Sequence, residues 1–126
     1  MSLYESAEMY LETIYQLSRT TPSVRSIDVA QAMGYSRPSV SRAVNLLKKD
    51  GYLETDADGF LVLTEAGKEI ACKIFDRHTV LTEALVRLGV DRETATEDAC
   101  RIEHVISDRS FETIKVHLHR FDPSGE

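Results

Sequence analysis

No stretch of this 126-residue chain approaches the roughly 18 consecutive apolar residues that a membrane-spanning helix requires. The opening residues, MSLYESAEMY, lack the basic and then apolar pattern of a secretory signal. A soluble, cytoplasmic protein with no membrane partner is therefore expected. Cysteine is scarce: Cys72 and Cys100 cannot staple a chain of this size, and in a reducing compartment they are expected as packed or metal-bound thiols. There is no low-complexity tract and no internal repeat. An alternating strand and helix pattern that would build an enzyme cleft is also missing, so a small metallohydrolase using Glu103 as base is a poor reading and no enzyme is expected. The remaining composition, 42% hydrophobic and 29% charged, suits one compact domain or two small ones.

An excess of positive charge is absent too, since the net charge is −6. Its distribution is uneven. Between Arg19 and Lys49 six cations face one acid, Asp28, giving +5 and leaving −11 for the rest of the chain. A basic segment on an acidic body suggests one face for phosphate and another for cations.

Apolar spacing of three and four, through Leu3, Ala7, Leu11 and Ile14, predicts a helix over 4–18. Thr20-Thr21-Pro22-Ser23 breaks it. Ser26 is expected to cap a short helix that Gly34 ends, and Ser36 to cap a second with Pro38 in its first turn. Two helices joined by so short a turn form a helix-turn-helix. Gly51 ends the second helix, and two apolar runs around Asp58-Gly59 predict a β-hairpin, which in that place is a wing. Thr64 then opens a long helix to about Leu88, Asp91 caps another over 92–106, and a last one spans 108–119. The fold class is mainly α with a small β-wing: a winged helix-turn-helix DNA-binding domain over 1–74, a helical metal-binding and dimerisation domain over 75–121, and a flexible tail over 122–126.

A recognition helix presents small and polar side chains to base edges from its N-terminal end. Ser36, Arg37, Pro38, Ser39 and Arg42 supply them. Either arginine can pair with guanine or hold phosphate, Ser39 can donate or accept, and Pro38 can meet a thymine methyl. Ser26 and the helix N-termini are candidate phosphate contacts. Any one of these arginines, alone, reads equally well as a solvated surface charge.

Cys100, Glu103 and His104 fall at i, i+3 and i+4 of a predicted helix and share one face. Thiolate, carboxylate and imidazole are good ligands for a borderline divalent metal. Met9 and Glu12 stand three apart on the first helix, and His78 lies within the long one. Each has a plainer reading: Met9 as core, Cys100 as a small packed hydrophobe, Glu12 and His78 as surface groups. His117 and His119 are read as surface residues, and Glu97 and Asp98 as outer-sphere groups or helix-start acids.

From about Ala7 to Phe121 the chain resembles the metal-dependent repressors typified by the diphtheria toxin repressor and the manganese transport regulator. The resemblance rests on AEMYLETIY, SRPSVSRAVNLLKKDGYL, FDRH and DACRIEHVISD. It implies a winged helix-turn-helix, a helical dimerisation domain and repression of metal-uptake genes when metal is plentiful. It places Met9, Cys100, Glu103 and His104 in the primary site of the iron branch. It places Glu12 and His78 in the second ion's site of the manganese branch, with Glu103 shared. The chain departs from both patterns. Met9 stands where manganese regulators carry aspartate, and Cys100 where they carry glutamate. Thr82 and Thr96 replace other ligands of the iron branch's ancillary site, and an SH3-like domain is expected to be absent.

Sulfur ligands favour iron(II) over manganese(II), which prefers oxygen. Iron(II) is the expected cofactor and manganese(II) the alternative; cobalt(II), nickel(II) or zinc(II) are expected to substitute in vitro. The expected partners are a second copy of the chain and a palindromic double-stranded operator. A winged-helix regulator sensing Cys100 oxidation or an organic effector is the rival reading, and a plain metal buffer another.

Overall fold

Short polar side chains set where several helices begin. In the computed structural model, which describes residues 5–120, Ser36 sits in extended backbone and its Oγ accepts from the Ser39 amide at 3.3 Å. Asp91 does the same for Thr94 at 3.0 Å, and Thr64 for Gly67 at 3.1 Å. Each satisfies an amide that the first helical turn leaves unpaired. The helices are α1 (Glu5–Ser18), α2 (Ser26–Met33), α3 (Arg37–Lys49), α4 (Glu65–Arg87), α5 (Arg92–Ile102) and α6 (Asp108–Arg120). Strands β1 (Leu53–Thr55) and β2 (Leu61–Leu63) lie between α3 and α4. The molecule is mainly helical with one small antiparallel sheet, as its pattern of elements led us to expect. Leu3 and the expected tail over 122–126 lie outside the described residues.

Two expectations need correction. Ser26 does not cap α2 but is its first residue; Arg25 holds the cap position, and the Asp28 carboxylate accepts the Arg25 amide at 2.9 Å. The acid three residues into the helix thus meets the amide of the cap residue itself. In addition, α5 stops at Ile102 instead of running to about 106. The amides of Val105 and Ile106 both turn back to the Ile102 carbonyl, each at 3.0 Å; the Val105 bond spans three residues instead of four and tightens the chain there.

Packing divides the chain into two compact units, one ending at Lys73 and the other beginning at Ile74, and the division falls inside α4. In the N-terminal unit, Leu11 and Ile14 of α1, Val29 of α2 and Val40 of α3 are buried with Val24 and Leu53 in one cluster. Each fully buried side chain of this kind contributes about 1.5–3 kcal/mol. Gly34 ends α2 at φ 71°, a left-handed conformation suited to glycine, and its amide reaches the Ala30 carbonyl at 2.9 Å.

The wing pairs Leu53 with Leu63 and Thr55 with Leu61. Its turn is held by Asp56, whose Oδ1 accepts the amides of Asp58 (2.9 Å) and Phe60 (3.0 Å), with Gly59 at φ 87°. The Leu61 amide also reaches the Val24 carbonyl at 2.8 Å, so the wing is tied to the segment that leads into α2. In the C-terminal unit, Val80 and Leu81 of α4, Ala99 of α5 and Phe111 of α6 form a second buried cluster.

Candidate functional site

At the start of α3 the side chains of Arg37, Pro38 and Arg42 are exposed and Ser39 is half-buried. The Ser36 hydroxyl is already engaged: it accepts from the Ser39 amide and donates to Ser39 Oγ at 2.9 Å. It fixes the first turn, leaving the two arginines and Pro38 as the outward-facing groups. Lys48 and Lys49 occupy the last turn of α3, where cations suit the negative end of the helix. Ser26 is half-buried in the first turn of α2. Beside it the exposed Arg25 places its guanidinium 4.9 Å from the centroid of the wing's Phe60 ring. That contact was missed in the sequence, because Phe60 reads as part of the hairpin and Arg25 as one cation among several.

In the C-terminal unit α4 faces the end of α5. His78 Nδ1 stands 2.9 Å from Glu103 Oε1 and 3.7 Å from Cys100 Sγ. The donor atoms of His78, Cys100 and Glu103 all lie within 4.8 Å of one another. On the other side of the same carboxylate, His104 Nε2 is 3.3 Å from Glu103 Oε2. Glu103 is 0% exposed, whereas Cys100 is open to solvent. The structure therefore groups His78 with Cys100 on one side of Glu103 and puts His104 on the other. Met9 and Glu12 lie one turn apart on α1 in the N-terminal unit. Met9 is half-buried; Glu12 is buried and accepts from Gln16 Nε2 at 3.3 Å.

A fully buried carboxylate between two imidazoles is costly unless charge compensates it. Thiol, imidazole and carboxylate within this distance need only small side-chain rotations to close on an ion at bond lengths of about 2.0–2.3 Å. The donor set thus fits a divalent transition metal. Thr82 is buried and its Oγ1 makes no hydrogen bond among the described residues, while Thr96 is half-buried.

Sequence reasoning also missed Arg77. It is buried in α4 on the apolar stripe of Ile74 and Leu81, and its guanidinium donates to the Glu103 carbonyl (3.1 Å), to the Ile106 carbonyl (2.8 Å) and to Asp108 Oδ1. The available signal was periodicity, since 74, 77 and 81 repeat at helical spacing and a cation stands in the row.

Residues 2–60 match the family model described as the iron dependent repressor N-terminal DNA binding domain, and residues 64–125 the iron dependent repressor metal binding and dimerisation domain. The chain is 36% identical over 121 residues to the HTH-type transcriptional regulator MntR of Bacillus pumilus, covering 96% of this chain and 84% of that one. It is 33% identical over 119 residues to an uncharacterised HTH-type transcriptional regulator of Methanocaldococcus jannaschii, covering 93% and 95%. It is 35% identical over 107 residues to the iron-dependent repressor IdeR of Mycobacterium tuberculosis, covering 84% of this chain but 46% of that protein. Among solved structures, the manganese regulator SloR superposes with a TM-score of 0.80 at 27% identity, over 89% of this chain and 53% of that one. The chain thus spans nearly all of some relatives and about half of others. With both halves matched in order, the chain belongs to the iron-dependent repressor family of metal-dependent transcriptional regulators.

Proposed function

We propose that this protein is a dimeric, iron(II)-responsive repressor that binds palindromic operators of metal-homeostasis genes when the metal site is filled. The cluster of Cys100, His78 and Glu103 carries the reading, because it offers sulfur, nitrogen and oxygen to one ion. Bound there, a divalent cation would supply positive charge and a cross-link among these side chains. His78 and Cys100 would donate to an ion on one side of Glu103, and His104 to one on the other. Met9 and Glu12 of α1 are assigned the remaining donor positions, so that filling the site fixes the DNA-reading unit against the dimerisation unit. A two-fold dimer then presents two α3 helices to successive major grooves, about 34 Å apart or a multiple of that distance.

Arg37 and Arg42 take bases or phosphates, Pro38 meets a methyl group, and Ser39 hydrogen-bonds at the base edge. Ser26 and the N-terminal end of α2 take phosphate. The dimer interface is assigned to an apolar groove of about 680 Å³ in the C-terminal unit, lined by Leu81, Leu85, Leu88, Ile106, Ile114 and Leu118. It lies in the part of the chain that matches the dimerisation model.

Manganese(II) is the second reading. Two observations favour it: the hard donors Glu12 and Glu103, and a match to MntR that covers more of the relative than the match to IdeR does. The softness of Met9 and Cys100 favours iron. The deciding experiment is operator binding without oxygen in the presence of iron(II), manganese(II), zinc(II) or no metal. Binding with iron(II) and none without metal is expected. Binding that persists with a chelator overturns metal control and leaves Cys100 oxidation or an organic effector as the signal. The variants Glu103→Ala and His104→Ala are expected to remain dimeric and to lose metal-dependent operator binding; retention of it by either removes that residue from the site.

A further inference from the structure

A buried arginine must be matched on all sides or its burial costs several kcal/mol. Arg77 is 6% exposed; its two terminal nitrogens are matched, with unusual targets, while Nε has no hydrogen-bond partner among the described residues. Nη1 donates to two main-chain carbonyls, Glu103 at 3.1 Å and Ile106 at 2.8 Å, while Nη2 donates to the Asp108 carboxylate at the start of α6. The guanidinium lies 5.6 Å from the centroid of the Phe111 ring. Because α5 stops at Ile102, these carbonyls lie in the turn beyond it, where Arg77 adds to the main-chain bonds that Glu103, Val105 and Ile106 make back into α5. That turn runs from Glu103 through His104. The next residue of α4, His78, meets the carboxylate of the same Glu103 at 2.9 Å. Two consecutive residues of α4 thus grip Glu103, one by its main chain and one by its side chain.

We infer that Arg77 is a positioning residue for the metal centre: by bridging the carbonyls of Glu103 and Ile106 it fixes the turn that carries Glu103 and His104, so that both side chains are set as donors before an ion arrives. The inference rests on the metal-site reading above. Charge and geometry act in opposite directions here. A cation near a cation site weakens ion binding, whereas a preset turn strengthens it because less freedom is lost on binding. A lysine separates the two. It keeps the charge, but as a point donor it cannot span two carbonyls and a carboxylate as the planar fork does.

The test titrates the full-length protein and its Arg77→Lys variant with cobalt(II), following the ligand-field and thiolate charge-transfer bands. Hydrogen exchange at the amides of Val105 and Ile106 is measured in the metal-free proteins. Arg77→Lys is expected to lose about 10–100-fold in cobalt affinity, as disruption of outer-sphere partners typically does. It is also expected to shift the ligand-field bands and to speed exchange at both amides. A merely structural loss would lower the melting temperature without moving the bands of the protein that remains folded. Wild-type affinity and wild-type bands in Arg77→Lys overturn the positioning role while leaving the metal site intact. A wild-type protein that gives no cobalt spectrum overturns the metal reading itself, and this inference with it. Should Arg77→Lys fail to fold, Asp108→Asn removes the outer arm of the fork. Shifted bands support the role there, and unchanged bands overturn it.

Discussion

Thr82 sits among the buried residues of the C-terminal unit with its hydroxyl sealed from solvent and without a hydrogen bond among the described residues. A buried polar group left unmet costs roughly 1–3 kcal/mol. Thr82→Val removes the oxygen and keeps the shape, so it is expected to raise stability by about 1 kcal/mol, measured by urea denaturation. A loss of stability would mean that the hydroxyl has a partner in solution. The proposed donor Met9 bears on metal choice. A thioether disfavours manganese(II), and an aspartate in its place offers the oxygen that manganese prefers. Met9→Asp is expected to move the operator-binding response toward manganese(II); an unchanged order of metals would count against ligand softness as the selector. The candidate donors Cys100, Glu103 and His104 were legible because they are close in sequence and chemically distinctive. Arg77 was not picked out, because a lone arginine in a helix ordinarily reads as a surface cation, and its place in the apolar row of 74, 77 and 81 was the one sequence signal against that reading.

At the scale of elements, α4 passes so close to the wing that a Cβ on Gly67 would overlap the Tyr52 carbonyl oxygen. The obstacle is main chain and cannot rotate away. Gly67→Ala is expected to destabilise the N-terminal unit by roughly 1–3 kcal/mol, the usual cost of overpacking, seen as a lower denaturation midpoint. The glycine lies in the first turn of a helix with ordinary backbone angles, so nothing local in the sequence reveals why it is there. On α3, Arg42 is exposed in the second turn. Arg42→Ala is expected to cost roughly 1–3 kcal/mol in operator affinity if it reads a base, or to reduce the salt dependence by about one charge per site if it holds phosphate. Cobalt affinity of the free protein should not change. Operator binding and a salt slope identical to wild type would remove Arg42 from the interface. The N-terminal cap of α5 has a pH signature. The Thr94 amide, and then its hydroxyl, hold the Asp91 carboxyl below the usual carboxylate range. A depressed folded-state value means that the cap stabilises the protein above the ordinary carboxylate range and is lost as pH falls through that folded value. The melting-temperature gap between wild type and Asp91→Ala should therefore be open at neutral pH and close in acid. A gap that stays constant in acid would show that the carboxylate charge is not what caps the helix.

For the whole molecule, the proposed assembly puts the groove of the C-terminal unit at the centre. Leu88 is 81% exposed at its edge, so a charge there costs a monomer little. Leu88→Glu is expected to shift the protein from dimer to monomer in sedimentation. The loss of linked half-site binding should weaken operator affinity on the order of 100-fold or more. A dimer that survives the change would move the interface elsewhere. Metal and operator are also expected to obey reciprocity. Whatever factor metal adds to operator affinity, typically about 5–150-fold for such couplings, operator must add to metal affinity.

The chain on its own determined the elements and their order, since apolar period, caps and turn residues act over a few neighbours and are written in adjacent letters. The basic stretch from Arg19 to Lys49 and the ligand-rich run from Cys100 to His104 were local in the same sense. Tertiary structure alone decided which donors stand together. Cys100 and His78 are far apart in sequence and meet because α4 packs on α5. It also decided that the Glu103 and Ile106 carbonyls beyond α5 are met by a buried guanidinium from another helix. Such groups are matched across space, and no short window of residues contains both partners.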